Sequence, residues 1–249
     1  MSCATIFVGC AGWSVGREQA AAFADTGTHL QRYATALKCV EINSSFYRPH
    51  RRQTYTRWAE SVPQAFRFCV KMPKAITHEL RLANCETLLE AFINQCTGLG
   101  EHLGCLLAQL PPSLVFDEKI AEDFFKALKE QYAGPVVLEP RHASWANATS
   151  LLKACQVSQA VVDPSRLSTD TSPAGSSEVQ YWRLHGSPRV YYSAYDRWYL
   201  ERLAGQLQRA KAGGAAVWCI FDNTASGAAL SNALELSALL SPMPLNKLV

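Results

Sequence analysis

The chain has 249 residues, of which 48% are hydrophobic and 18% charged, and its formal net charge is +3. This composition provides ample apolar material for one large core and excludes an intrinsically disordered chain. A charge so close to zero identifies neither a nucleic acid nor a membrane surface as a partner. The length fits one domain, and we expect a single domain over residues 1–249.

The amino-terminal segment carries no targeting pattern. Residues 1–11 lack a basic stretch followed by a long apolar one, and no later stretch stays apolar for the roughly 20 residues of a membrane span. The nine cysteines are an odd number without a Cys-x-x-Cys pair, which favours neither a disulfide framework nor a zinc ribbon. We therefore expect a cytoplasmic protein with no membrane partner, whose cysteines serve mainly as small apolar residues.

Eight short apolar runs recur along the chain, and their length and their Val, Ile, Phe and Cys content predict buried strands. They cover Ala4–Cys10, Lys38–Ser44, Phe66–Met72, Leu103–Leu110, Pro135–Glu139, Gln159–Asp163, Val179–His185 and Ala215–Phe221. Amphipathic segments with helical spacing lie between most of them, at His29–Leu37, Glu86–Gln95, Glu118–Tyr132 and Leu200–Lys211. This alternation predicts an α/β fold of the TIM-type (β/α)8 barrel class.

Two segments bear on the architecture. Residues Pro164–Glu178 are rich in Ser, Thr, Pro and Gly and have no helical periodicity, so we expect an irregular, non-helical crossover between the sixth and seventh strands. The alternative to a barrel is an open doubly wound sheet. The turn after the first strand, Gly9 to Trp13, lacks the glycine spacing of a dinucleotide-binding turn. The barrel is therefore the favoured architecture.

Polar residues lie late in the predicted strands. On the fifth strand Glu139 and Arg141 share the face of Val137, opposite Val136 and Leu138, because side chains alternate along a strand. The same sorting places these further residues toward the barrel axis: Glu41, Asn43, Lys71, Gln109, Asp163, Arg183, His185 and Asn223. It places Asp222 on the outward face. Since TIM-barrel sites lie at the carboxyl ends of strands, the ring predicts an active or ligand-binding site.

A series of motifs follows in a recognisable order. They are Val40-Glu41-Ile42-Asn43-Ser44-Ser45-Phe46-Tyr47, Phe68-Cys69-Val70-Lys71, Ile76-Thr77-His78, Leu110-Pro111-Pro112-Ser113, Glu139-Pro140-Arg141-His142-Ala143-Ser144-Trp145, Arg183-Leu184-His185-Gly186 and Phe221-Asp222-Asn223. Together they resemble the YecE-like family (domain of unknown function 72) over nearly the whole chain. The resemblance implies a TIM-barrel fold and a shared polar site. It implies no particular reaction, because the activity of that family is not established.

The ring favours an enzyme that acts on a small anionic substrate, bearing a phosphate or a carboxylate, by acid and base catalysis. The candidates for proton transfer are Glu41, Glu139, Asp163 and His185. The candidates for substrate binding are Asn43, Lys71, Gln109, Arg141, Arg183, Asn223 and, from an aromatic cluster after the seventh strand, Tyr191 and Tyr195. No cofactor is predicted. An internal ion-pair network without a ligand is the competing interpretation of the same charges.

Two other functions stay open at this point. The carboxylates of the ring, with His78, His142 and His185, could bind a divalent metal in a phosphoesterase or nuclease, although the interleaved basic residues would already neutralise the acids. The basic run Arg48–Arg57 could instead make the protein a non-catalytic module that binds nucleic acid or a phosphorylated ligand. Its interleaved aromatic residues are Tyr47, Tyr55 and Trp58. A solvated helix whose Trp58 packs inward is the favoured interpretation of that run.

Overall fold

The computed structural model describes residues 5–165 and 173–241. The strands in these two segments are β1 (Ile6–Ala11), β2 (Cys39–Ile42), β3 (Arg67–Lys71), β4 (Leu103–Gln109), β5 (Val136–Glu139), β6 (Val157–Gln159), β7 (Val161–Asp163), β8 (Ala174–Gly175), β9 (Val179–Leu184) and β10 (Ala216–Phe221). They form one sheet in the order β7-β9-β10-β1-β2-β3-β4-β5-β6-β8. Every pair of neighbours is parallel except β6 and β8.

Helices lie between most of the parallel strands, as the sequence predicts. The α-helices are α1 (His29–Ala34), α2 (Ser44–Tyr47), α3 (Arg52–Glu60), α4 (Glu86–Cys96), α5 (Glu118–Gln131), α6 (Thr149–Ala154), α7 (Arg197–Ala212) and α8 (Ala228–Leu240). Three 3-10 segments, Ala20–Ala22, Thr97–His102 and Ala143–Ala148, and one π-helical turn, Ala75–Glu79, complete the connections. Within the described segments, none of these helices has the length and apolarity needed to cross a bilayer.

The sheet is strongly curled. The predicted sixth strand is two short strands, β6 and β7, which are separated only by Ala160. β6 pairs with β5, whereas β7 pairs with β9, so adjacent pieces of chain meet strands from the two opposite ends of the strand order. The fold is thus α/β, with a curled, mostly parallel ten-stranded sheet and helices packed against it.

The crossover after β7 differs in part from its predicted loop. Ala174 and Gly175 form the strand β8, which pairs antiparallel with Ser158 and Gln159 of β6. The rest of the expected loop includes residues 166–172, which lie outside the described residues. The strand β8 is compatible with this Ser-, Thr-, Pro- and Gly-rich segment, because an edge strand of two residues needs no periodic pattern.

The two faces of the sheet carry two clusters of buried side chains. The inner cluster contains Cys39, Cys69, Cys105, Leu107, Val137, Tyr181, Trp218 and Ile220. The outer cluster contains the alternate residues of the same strands, among them Val40, Val70, Leu138 and Phe221, together with the apolar sides of the helices. Strands buried on both faces explain the near-continuous apolar runs in the sequence. The inward residues at the carboxyl ends are the polar ones.

Candidate functional site

Arg183, on β9, lies at the centre of a buried charge cluster. Its Nε and Nη2 donate to the two carboxylate oxygens of Glu41 on β2, at 3.0 and 2.7 Å. Its Nη1 donates to Glu139 Oε2 on β5 at 3.0 Å. Nη2 also lies 2.9 Å from Asp222 Oδ2, directly after β10. One guanidinium therefore joins carboxylates that come from three different parts of the sheet.

The charges of this cluster stabilise one another in their ionised forms. Burial alone would raise the pKa of Glu139, but Arg183, His185 and Arg141 hold it well below its usual value. Burial likewise opposes ionisation of Asp222, and Arg183 followed by His185 lowers its pKa. Burial would lower the pKa of Arg183, yet the three carboxylates keep it well above its usual value. The buried ions are thus mutually dependent.

His185 contacts two carboxylates and both arginines of the cluster. Its Nδ1 lies 3.0 Å from Asp222 Oδ2, and its Nε2 lies 3.3 Å from Glu139 Oε1. The same Nε2 is 3.3 Å from both Arg141 Nη2 and Arg183 Nη1. A neutral ring can accept from the arginines, and a protonated ring can donate to Glu139. Burial lowers the pKa of His185, but Glu139 and Asp222 outweigh this and raise it above the usual value.

Arg141 lies on the outer side of the cluster. Its Nε donates to Glu139 Oε1 at 2.8 Å, and its Nη2 lies 2.7 Å from the same oxygen. The Arg141 side chain is 13% exposed, whereas that of Arg183 is 1% exposed. Tyr191, whose ring stands edge-on to His185 at 5.6 Å, lies beside it. Arg141 is therefore the arginine of the cluster that solvent can reach.

Lys71, at the end of β3, is the cation that the carboxylates leave unpaired. Its side chain points to the inner face, since Cys69 two residues earlier belongs to the inner cluster. The residue is only 7% exposed. Within the described segments its Nζ forms neither a salt bridge nor a hydrogen bond, and it lies 4.3 Å from the centroid of the Phe46 ring. Burial and then Arg183 lower its pKa to about 8, against opposing effects of the carboxylates.

The short helix α2 holds Lys71 in place. Ser45 Oγ donates to the backbone carbonyl of Lys71 at 2.6 Å, and the next residue, Phe46, places its ring against the Lys71 amine. His78, on the π-helical turn after β3, also packs edge-on against Phe46, at 5.0 Å. Burial, Lys71 and Arg141 lower the pKa of His78. The residues that follow β2 and β3 thus form a second wall of the site.

The alternation argument is correct for most of the predicted ring. Glu41, Lys71, Glu139, Arg183 and His185 all point inward and lie close together. Asn43 joins them through its Nδ2, which donates to Asp222 Oδ1 at 3.4 Å. Gln109 is 8% exposed and pairs in register with Glu139, and its side chain forms no hydrogen bond within the described residues.

Three predicted site residues lie elsewhere. Asp163 pairs in register with Leu184, which belongs to the outer cluster, so Asp163 faces the helices. Its carboxylate accepts from Tyr195 Oη at 2.8 Å, and Tyr195 itself is buried in the outer cluster. Asn223 also faces outward, and its Nδ2 donates to Asn232 Oδ1 of α8 at 3.0 Å. The inward placement of Asp163 and Asn223 is therefore wrong, and Tyr195, predicted to bind substrate, packs in the outer cluster instead.

Asp222 and Tyr181 are the site residues that the sequence reasoning missed. Asp222 was expected to point outward, yet Ile220 points inward, and alternation from Ile220 takes Asp222 inward as well. Tyr181 shares the inner face of β9 with Arg183, and its hydroxyl donates to Glu41 Oε2 at 2.9 Å. The strand Ala216–Phe221 is apolar on both faces, so its sequence gives no signal for which face is inward.

Comparison with known proteins identifies the family. The sequence profile of the family described as "Protein of unknown function DUF72" matches residues 7–247. The chain belongs to this family. A relative from Bacillus subtilis, the UPF0759 protein YunF, is 24% identical over 94% of each chain. The UPF0759 protein YecE of Escherichia coli is 34% identical over 84 residues, a match that spans 34% of this chain and about a third (31%) of YecE.

Solved structures of DUF72 proteins share the fold. A DUF72 family protein from Enterococcus faecalis superposes with a TM-score of 0.79 at 21% identity, covering 97% of this chain and all (100%) of the other. One from Thermotoga maritima gives a TM-score of 0.76 at 24% identity, with 94% and 98% covered. The overall architecture of this DUF72 protein is thus TIM-like.

The residues considered for metal and nucleic-acid binding have other contacts in this DUF72 protein. His142 Nδ1 accepts from the backbone of Ser144 at the start of a 3-10 turn. In residues 5–165 and 173–241, no three His, Cys, Asp or Glu side chains are grouped as metal ligands would be. Tyr55 is buried, and Trp58 packs against Trp13 and His50. Of the three aromatics in the basic run, only Tyr47 is widely exposed.

We expect Arg183→Met to destabilise this DUF72 protein by about 3–5 kcal/mol at pH 7.5, because it leaves three buried carboxylates without their shared cation. Urea unfolding would measure the loss. The loss should shrink as the pH falls toward 5, since protonation removes the unpaired charges. The free energy of unfolding of the wild type should itself fall at low pH. The carboxylates whose pKa values Arg183 lowers lose their stabilising contribution when they are protonated.

The matched control is Arg197→Met, which removes an exposed pair with Glu201 on α7. Exposed pairs contribute little, so its unfolding free energy should stay close to that of the wild type at both pH values. Equal effects of the two substitutions, or an Arg183→Met loss that does not depend on pH, would contradict the account of the cluster.

Proposed function

We propose that this DUF72 protein is an enzyme that binds a small anionic substrate, bearing a phosphate or a carboxylate, and acts on it by proton transfer. The observation that carries this proposal is the unpaired, nearly buried cation Lys71 beside a fully paired cluster.

We further propose that the sheet closes across Ala160 into a (β/α)8 barrel and that residues 1–249 form one domain. In support, Ala160 N donates to the carbonyl of Leu138 on β5 at 2.8 Å.

The pairing of the charges favours an anion, although the three carboxylates and the three cations sum to zero. Glu41, Glu139 and Asp222 are bonded to Arg183, and Glu139 is shared with Arg141. Lys71 takes part in none of these pairs within the described residues. A buried ion without a partner is unfavourable, and a phosphate or carboxylate beside Nζ would remove this cost. The site therefore favours an anionic ligand.

Arg141 and Lys71 are the residues that we assign to anion binding. Arg183 was an equal candidate in the sequence, but each of its nitrogens is already engaged by carboxylates of the cluster. The side chain of Arg141 is 13% exposed, and a guanidinium group suits oxyanions. We assign Arg183 to holding the carboxylates, and hence to positioning Arg141 and His185.

His185 is the residue that we assign to proton transfer. It has a partner in either protonation state, because Nε2 meets both arginines and Glu139 while Nδ1 meets Asp222. This bonding makes a proton change at Nε2 structurally inexpensive. Glu139 orients His185 and Arg141 through one oxygen. Glu41 has its oxygens occupied by Arg183 and Tyr181, so we assign it a supporting role.

The two alternatives receive less support. A divalent metal among the carboxylates would have to compete with Arg183, which already lies between them at hydrogen-bond distance. A nucleic acid stacked on the basic run would need exposed aromatic rings, whereas Tyr55 is buried and Trp58 is partly buried against the core. A small anion needs only Lys71 and Arg141, the cations that we assign to anion binding.

We expect inorganic phosphate and sulfate to bind the protein, and Lys71→Met to weaken that binding at least about tenfold, the value of one charge-assisted hydrogen bond. Isothermal titration calorimetry at low ionic strength would measure the dissociation constants. Lys74→Met is the matched control, because Lys74 lies on the next turn, is 52% exposed and pairs with Glu79. It should leave binding unchanged.

Two results would contradict the proposed function. Sulfate and phosphate binding that is the same in the wild type and in Lys71→Met would place the anion elsewhere. Stoichiometric zinc or manganese in the purified protein, lost on substitution of Glu139 or His185, would favour the metal-dependent alternative.

Sulfate affinity should fall as the pH rises from 7 to 9, because Lys71, with a pKa of about 8, loses its charge in this range. Sulfate keeps its own charge throughout. The groups that act on Lys71 are Arg183, Glu41, Glu139 and Asp222 from the cluster and His78 from the adjacent turn. The same calorimetric titration at several pH values would measure the effect.

The variant Lys71→Arg separates the effect of Lys71 on the pH dependence of sulfate affinity from the effect of the histidines. Arginine stays charged at every pH used, so the variant should bind sulfate with no decline centred near pH 8. Any decline due to His185 or His78 would persist in the variant. A decline of equal size in both proteins would show that Lys71 does not control the affinity.

A further inference from the structure

We propose that Lys71 binds its ligand covalently: Nζ forms an imine with an aldehyde or ketone that carries a phosphate or carboxylate group. This inference rests on the proposed function, because the anionic group is what would draw the carbonyl compound into the site. It specifies the substrate class further, as a small anionic carbonyl compound. It also gives Lys71 a role that an arginine could not fill.

The first observation in support is that the residue at position 71 is a lysine rather than an arginine. The cluster already contains two arginines, which remain charged under all ordinary conditions and suit permanent pairing. If the site needed only a third permanent positive charge to bind an anion, an arginine at this position would serve equally well. Lysine differs in that its amine can lose its proton and act as a nucleophile when it is buried near another cation. Lys71 is buried, and Arg183 lies close enough to act on it.

The position of the amine is the second support. The Lys71 backbone is fixed by Ser45 Oγ and by the sheet, and its Nζ lies over the Phe46 ring. Because no hydrogen bond or salt bridge from the described residues occupies Nζ, its lone pair is available once the proton leaves. The amine is therefore held in a defined place without being consumed by a structural contact. A surface lysine such as Lys74 has neither feature, since it is paired with Glu79.

The step balances with groups that the site contains. The ammonium first gives up a proton, and the Nζ lone pair then adds to the carbonyl carbon while the carbonyl oxygen takes up that proton. A second proton moves from nitrogen to the hydroxyl, which leaves as water as the carbon–nitrogen double bond forms. The product is a protonated imine, so one ammonium and one carbonyl give one iminium and one water. His78, which packs against the same Phe46 ring as the amine, and His185 of the cluster are the groups able to carry these protons.

The test is reductive trapping on the full chain. The protein would be incubated at pH 7.5 with pyruvate, and separately with pyridoxal 5′-phosphate, in the presence of sodium cyanoborohydride, and the modified lysine located by peptide mass spectrometry. We expect modification of Lys71 at least about tenfold faster than of Lys74, because far more of a lysine amine is neutral at this pH when its pKa is lowered. Sulfate should slow the modification of Lys71 and leave that of Lys74 unchanged.

Variants make the inference and the proposed function separately testable. Lys71→Arg should still bind sulfate and should lose the trapped adduct at position 71, whereas Lys74→Arg should retain the Lys71 adduct. If sulfate binds the wild type but neither probe modifies Lys71 faster than Lys74, the imine is excluded and the anion site stands. If Lys71 is modified selectively although sulfate does not bind, the imine stands and the proposed anion site is wrong. If neither occurs, both are wrong.

Discussion

The bonding of one arginine organises this end of the sheet. Arg183 is fully buried and contacts Glu41, Glu139 and Asp222, which come from β2, β5 and the residue after β10. Buried carboxylates at such short range are tolerable only because a cation lies between them. The guanidinium therefore fixes where these strands end relative to one another. His185 and Arg141 are in turn oriented by the carboxylates that Arg183 holds.

The unpaired state of Lys71 follows from this arrangement. The carboxylates that could neutralise it are already directed at Arg183, and the positive guanidinium adds to the burial that lowers its pKa. The result is one lysine with a lowered pKa beside carboxylates and arginines whose charges are paired. Such a division between permanent and variable charge is what proton transfer at a substrate requires. The structural ion pairs and the candidate chemistry are thus parts of one network.

The sequence predicted the fold class and most of the ring because strands with polar ends, such as that of Glu139 and Arg141, mark their inward face clearly. The prediction failed on strands where the polarity of the side chains does not distinguish the two faces. The strand before Asp222 is apolar on both faces, and β7 carries one polar residue, Asp163, at its end, so alternation could not select the inward side. Which acidic residue pairs with which basic residue could not be predicted either. Whether Glu41 pairs with Lys71 or Arg183 depends on distances across the curled sheet.

The most direct test of this account is the titration of Lys71 itself, followed by ¹³C NMR of the lysine ε-carbons and assigned with Lys71→Arg. The account predicts a pKa of about 8 in the wild type, well below the other lysines. It also predicts a rise in Arg183→Met, where the carboxylates become free to pair with the ammonium. A Lys71 that titrates together with the exposed lysines, or that keeps a low pKa in folded Arg183→Met, would contradict the central claim that Arg183 leaves Lys71 without a counterion.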